Sequence, residues 1–150
     1  AAMRSAEGQA MARDLRANCE EIRERLAAIQ GLAPEVVVAY QDRLTEKLQT
    51  LLADHKVSVS PADVVREVGI YADRIDISEE IVRLGSHLDQ FLRALEQGGA
   101  AGRKLEFLIQ EMFRETNTIG SKANNAEIAQ HVVEIKTAVE RIREMVQNVE

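Results

Sequence analysis

The sequence has no Trp, a single Cys, 3% aromatic residues, 2 Pro and 8 Gly among 150 residues. Each shortage excludes something. So few aromatics force an aliphatic core, and they leave no stacking platform for single-stranded nucleic acid, which needs several exposed rings. One Cys rules out an internal disulfide and fits a reducing compartment, so a cytoplasmic protein is expected. Scarce Pro and Gly do not supply the turns of an all-β fold. No run approaches ~18 uncharged apolar residues, so no membrane span is expected. Ala1 to Gln9 lack the apolar centre of a targeting segment. Positive charge is also short, with 19 Lys and Arg against 25 Asp and Glu and a net charge of −6. Coating of nucleic acid by bulk charge is excluded, and any RNA contact needs a local basic patch.

Helical periodicity is abundant instead. Ala12, Leu15, Cys19, Ile22, Leu26, Ile29 and Ala33 step by 3 and 4, a heptad seam. Gly31 and Pro34 read as its end, with Pro34 in the first turn of a second helix. Val37, Tyr40, Leu44, Leu48 and Leu51 line that helix, so 1–60 predicts a helical hairpin. His55 to Val59 reads as a connector. Ser60-Pro61 starts a third helix with Ser60 as its cap, lined by Val64, Val68, Tyr71 and Ile75. Asp76, with Glu79 three residues on, partly matches a capping box before a fourth helix. Gly98 to Gly102 predicts a flexible loop. A fifth helix from about Arg103 buries Leu105, Leu108, Ile109 and Met112 and stops near Gly120. The last begins near Asn124, and Ile128, Val132, Ile135, Val139, Ile142, Val146 and Val149 form an unbroken β-branched seam. The expected fold is all-α, about six helices, with a four-helix module over 61–150. Two long seams argue for association, since β-branched residues at both seam positions favour more than two strands. The chain opens inside what reads as a helix, which points to a longer protein.

Common catalytic signatures are absent: no P-loop, no His-Glu-x-x-His, no Cys-x-x-Cys and no Gly-x-Ser-x-Gly. Cys19 sits on the seam and reads as a small buried apolar group. His131 follows Glu127 by four, which reads as an ordinary solvated pair. Two stretches are richer. Asp76, Glu80, Arg83 and His87 step 4, 3 and 4 and form one polar stripe. Such a stripe can hold a metal, orient a water or grip a phosphate; it equally describes a surface salt-bridge ladder. Further on, Glu111, Arg114, Glu115 and Thr118 share one helix face, and Gln110, Arg114 and Asn117 a neighbouring one. Arg103, Lys104, Arg114 and Lys122 face three carboxylates, Glu106, Glu111 and Glu115. This pattern suits phosphates and base edges, or simply a solvated face. If the two stripes face each other they define one site; if they diverge, they do not.

The same two stretches resemble the C-terminal part of the YicC/YloC family, bacterial proteins described as endoribonucleases. The likeness is carried by Ala72-Asp73, Asp76-Ile77-Ser78-Glu79-Glu80, Arg83-Leu84, Ser86-His87-Leu88 and Phe91. It continues through Gly102-Arg103-Lys104-Leu105, Phe107-Leu108, Gln110-Glu111-Met112, Arg114-Glu115 and Asn117 to Asn124, and closes with Val146 to Glu150. Phe113, Thr116, Glu106 and Gly85 depart from the family's usual Asn, Ala, Asp and a basic residue. The family's N-terminal half is missing. The resemblance implies divalent-metal-dependent cleavage of single-stranded RNA, with manganese as the ion, by a ring-like homo-oligomer. It does not assign the chemistry to residues. Metal-assisted cleavage needs carboxylates on the ion and cations near the phosphate. The candidates are therefore Asp76, Glu80, Glu111 and Glu115 for the metal. For catalysis they are Glu80, Glu111, Arg114 and Glu115, with His87 as acid or base because imidazole ordinarily titrates near ~6.5. For RNA binding they are Arg83, Arg103, Lys104, Gln110, Arg114, Asn117, Ser121 and Lys122. The other reading is a helical oligomerisation or partner-binding module.

Overall fold

The structure, a computed structural model, describes residues 2–55, 60–97 and 102–149. Among these, every element is an α-helix: α1 (Ala2–His55), α2 (Pro61–Ile75), α3 (Ser78–Gln97), α4 (Gly102–Ala123) and α5 (Ala126–Val149). The all-α expectation holds, but five helices stand where about six were expected. The predicted loop at Gly98 to Gly102 lies outside the described residues except for Gly102, which opens α4. The predicted connector lies outside them except for His55, the last residue of α1.

The missing helix is the second arm of the expected hairpin. There is no turn at Gly31 and Pro34; α1 is one helix of 54 residues with Pro34 inside it. A proline within a helix removes one backbone hydrogen bond and crowds the carbonyl four residues back, at a cost of ~3 kcal/mol. Here both Pro34 and Gln30 lie on the exposed side, where water can take the freed carbonyl. The apolar phase also never resets: Leu15, Cys19, Ile22, Leu26, Ile29, Ala33, Val36 and Tyr40 step 4, 3, 4, 3, 4, 3 and 4 across the proline. Ile29 and Val36, one on each side of it, are both buried. Continuity of that buried stripe outweighs the lost bond.

This predicts a simple distance. Spin labels at Arg13→Cys and Lys47→Cys, both exposed sites, will lie ~50 Å apart at 1.5 Å rise per residue. A hairpin would bring them within ~20 Å. The native Cys19 will not interfere, because burial pushes its thiol up to about 12 and a thiol held in that state is inert.

The first half of α1 packs on α5 and α3, α3 packs on α4, and α4 packs on α5, which closes a four-helix ring. The bundle is therefore α1, α3, α4 and α5, not the four helices of 61–150. The core is one cluster drawn from all of them, including Ile22, Ile29, Leu84, Phe91, Met112, Ile119, Ile135 and Ile142. The two seams thus cover each other within one chain, and their length alone does not call for a partner. α2 lies outside the ring against the second half of α1, where Tyr40 and Tyr71 stack with ring centres 4.2 Å apart.

Local chemistry sets the remaining boundaries. Ser60 caps α2 by accepting from the Asp63 amide at 3.3 Å. Asn125 caps α5 by accepting from the Ile128 amide at 3.0 Å. α4 does not stop at Gly120 as expected; it ends at Ala123, where Asn124 takes a left-handed φ of 37°, a conformation Asn tolerates. Gly120 instead lets α5 approach, since a Cβ there would meet Val132 Cγ1 at 3.2 Å. Gly85 similarly faces α1, where a Cβ would touch Leu26 at 3.8 Å.

Candidate functional site

α3 and α4 pack side by side, and the two polar stripes meet along their contact. Arg83 on α3 donates through Nε to Glu115 Oε1 on α4 at 3.1 Å. Its other guanidinium nitrogens reach Glu79 and Glu80, each at 3.3 Å. Lys122 on α4 returns to α3 and donates to Glu80 Oε1 at 2.7 Å. One turn beyond Arg83, His87 Nε2 lies 3.9 Å from Glu111 Oε2. Arg114 stands at the rim, 75% exposed, 3.9 Å from Glu111. The order along the groove is Lys122, Glu80, Arg83, Glu115, then His87 with Glu111, then Arg114.

A surface ladder does not describe this arrangement. The side chains of Glu80 and Glu115 are only 4% and 7% exposed. Burying a carboxylate is costly unless it is paired and hydrogen-bonded. Both Glu residues sit in phase with their helix's apolar stripe, Glu80 between Ile77 and Leu84, and Glu115 between Met112 and Ile119. The cations that meet them arrive across the interface, from residues 42 and 32 positions away. The Glu115 hydrogen bond holds the Arg83 guanidinium even further above neutrality than usual, with Glu79 and Glu80 adding to it. Among the described residues two buried side-chain atoms are without partners, Glu80 Oε2 and His87 Nδ1; such orphans typically cost ~1–3 kcal/mol each.

Not all candidates converge. His87, Glu111 and Glu115 bring ligand-type atoms within 4.8 Å of one another. Asp76 is occupied at the α2–α3 corner, accepting from the Ser78 hydroxyl and, at 2.9 Å, from the Ser78 amide. Those bonds, the hydroxyl's first, hold the Asp76 carboxyl below its ordinary range. Asp76→Ala will therefore cost ~1 kcal/mol, as for loss of a helix cap. The sign with pH follows from the lowered value. The stabilisation is present above the unfolded value of ~4 and is lost as pH falls through the lower folded value. Chemical denaturation of parent and variant at pH 7 and at pH 2.5 should show the difference shrinking in acid.

The RNA-binding candidates divide. Arg83 and Lys122 are held by carboxylates within the groove. Asn117 and Ser121 are exposed beside it on α4, although the Ser121 hydroxyl donates to the Thr118 carbonyl at 3.1 Å. Lys104 lies on the Glu111 face two turns earlier, and Arg103 beside it; both are exposed. Gln110 points elsewhere, into a cleft with Phe113, Arg143 and Gln147 against α5. His131 also belongs elsewhere, with Nδ1 3.3 Å from Arg25 of α1. Thr116, a departure from the family pattern, is fully buried and satisfied, donating to the Met112 carbonyl at 2.6 Å. Sequence reasoning placed Glu80 and Glu115 on polar stripes and missed their burial; their in-phase positions were the available signal.

Fold and groove define a helical bundle with a carboxylate–imidazole–guanidinium patch between two adjacent helices. Residues 28–150 match the family described as Endoribonuclease YicC-like, C-terminal, and the chain belongs to that family. It is 41% identical over 148 residues to a protein of Clostridioides difficile (strain 630) named "Probable endoribonuclease YicC". It is 35% identical over 149 residues to a Haemophilus influenzae protein of the same name. Each comparison covers 99% of this chain and 50% of the relative, so the chain spans about half the length of these relatives. No helix among the described residues is long and apolar enough to cross a membrane.

Proposed function

We propose that this chain is the C-terminal part of an endoribonuclease that cleaves single-stranded RNA in the cytoplasm with a divalent cation, manganese, held in the α3–α4 groove. The observation that carries this reading is the meeting of the two polar stripes, which buries Glu80 and Glu115 beside His87 and Glu111. The fit to a cation is supported by the donor set and by the two orphaned atoms. When bound, such an ion neutralises phosphate charge and makes water more acidic. In this reading the residues divide the work. Arg114, Lys104 and Arg103 hold the RNA backbone from the rim, as exposed cations can. Asn117 and Ser121 border the strand. His87, at the inner wall, is placed to pass a proton to or from the reacting oxygen. Arg83 and Lys122 pair with the buried carboxylates of Glu80 and Glu115 and hold them in place.

A ring-like homo-oligomer completes the proposal. Its contacts would use apolar residues the bundle leaves exposed, among them Val38 and Leu51 on α1 and Val65 and Ile70 on α2. The test is a cleavage assay on uniform single-stranded and duplex RNA with manganese, using this chain alone and a full-length protein that contains it. Internal cuts in the single strand by the full-length protein, with weak or no cutting by the chain alone, are expected. No cutting by the full-length protein would favour a helical oligomerisation module instead.

A further inference from the structure

We propose that the cleft between α4 and α5 is a second ligand site, which takes a single unpaired purine base of the RNA strand. This rests on the nuclease reading for the source of the base, and on the cleft itself for its chemistry. The cleft shares no residue with the His87–Glu111–Glu115 cluster. Glu106, Gln110 and Phe113 line it from successive turns of α4, and Arg143 and Gln147 from successive turns of α5. Ile109 and Val146, only 2% and 5% exposed, complete it as an apolar floor. An apolar floor with a few convergent polar groups is the anatomy of a small-ligand site. Its volume of about 280 Å³ falls at the lower end of such pockets, which run ~300–1,000 Å³, and so suits one flat ring system.

Charge selects the ligand class. Glu106 and Arg143 offset each other, so the lining carries no net charge. A phosphate calls for surplus cations and a hard divalent ion for several oxygen ligands; a neutral planar ligand with hydrogen-bonding edges needs neither. The polar groups are also available. Gln110 and Gln147 are exposed, so their amides can exchange water for a guest, and Arg143 has only a long contact of 3.6 Å with Glu140. An amide pairs with N6 and N7 of adenine, and a guanidinium with O6 and N7 of guanine. N7 belongs to purines alone, so these groups favour a purine over a pyrimidine. Phe113 supplies the stacking face. It packs against the core and lines both this cleft and its neighbour along α4 and α5. Single strands are held base by base on such rings; one ring is no platform for a long strand, but it serves one base. The strand can reach it. Arg103, Phe107, Gln110 and Arg114 step 4, 3 and 4 along α4, all exposed and with no carboxylate among them. Arg114 borders the α3–α4 groove beside Glu111, and Gln110 borders the cleft, four residues and ~6 Å apart along the helix axis. A strand whose phosphate rests on Arg114 therefore has a base beside Gln110.

The test measures binding of short fluorescein-labelled RNAs to the full-length protein by anisotropy, with divalent ions chelated so that the strands stay intact. The probes are an all-uridine strand, the same strand with one central adenosine, and the same strand with an abasic ribose at that position. The adenosine strand is expected to bind at least tenfold tighter than the other two. Phe113→Leu and Gln147→Ala should each cut that preference to less than threefold, whereas Thr137→Ala, in the neighbouring cleft, should leave it intact. Arg114→Ala should weaken all three strands alike. No preference in the parent, or a preference that survives both cleft variants, overturns the site and leaves the nuclease reading standing. If Phe113→Leu fails to fold, Gln147→Ala decides, because its side chain is exposed. If no strand binds, the nuclease reading falls, and adenosine monophosphate added to the chain decides the cleft by nuclear magnetic resonance. Shifts centred on the Gln110 and Gln147 side-chain amides would keep it as a purine site; no shift, or shifts centred elsewhere, would overturn it.

Discussion

Glu111→Gln in the full-length protein is expected to lower RNA cleavage about 10²–10³-fold, the size of effect seen when one preorganised charge-stabilising group is removed. Thermal stability should barely change. Glu111 is only partly buried, and its contacts to His87 and Arg114 are long, at 3.9 Å each; pairs of that kind contribute little to folding. Arg114→Ala is the companion case. Its side chain is 75% exposed, so its removal should shift stability by no more than ~0.5 kcal/mol while weakening the grip on phosphate. Rates at saturating manganese, set beside melting curves of the same variants, check both. If activity fell only in step with stability, the groove would be a structural ion-pair network. If Arg114→Ala cleaved like the parent, the site on α4 would have to be abandoned.

The second large effect concerns folding. Ile135→Ala should destabilise the protein by ~2–5 kcal/mol, the usual cost of truncating a buried Ile together with the cavity it leaves. Ile135 is completely buried in the seam of α5. That seam packs on the seam of α1, which runs through Leu15, Cys19, Ile22 and Leu26, and α5 also supports α4. Denaturant unfolding of the chain measures the loss directly. A change below ~1 kcal/mol would mean that α1 and α5 do not share the core described here.

Much of this architecture was legible from period alone. The α5 seam, the α2 cap at Ser60 and the polar stripes on α3 and α4 appear where spacing and capping chemistry put them. The hairpin failed because Gly31 and Pro34 were weighed as breakers, although the heptad phase ran through them unchanged. Phase continuity across a proline is the stronger signal when the proline lies on the exposed side. Gly120 was misread for a related reason: it answers to Val132 on another helix, and no local pattern records that contact. The site was legible as two stripes, not as one groove. Opposing stripes require α3 and α4 to be neighbours with these faces inward, which is a tertiary fact. The pairing of Lys122 with Glu80, and the capture of Asp76 by Ser78, follow from that packing and from the α2–α3 corner.

The central claim is that residues on α3 and α4 act together as one chemical unit. A double-mutant cycle on RNA cleavage by the full-length protein, using His87→Ala and Glu111→Gln, tests it most directly. Residues of one catalytic unit are strongly non-additive, so the second loss adds little to the first. The double variant is therefore expected to cleave at about the rate of the weaker single variant. Losses that multiply, as for independent positions, would contradict a shared site across the two helices.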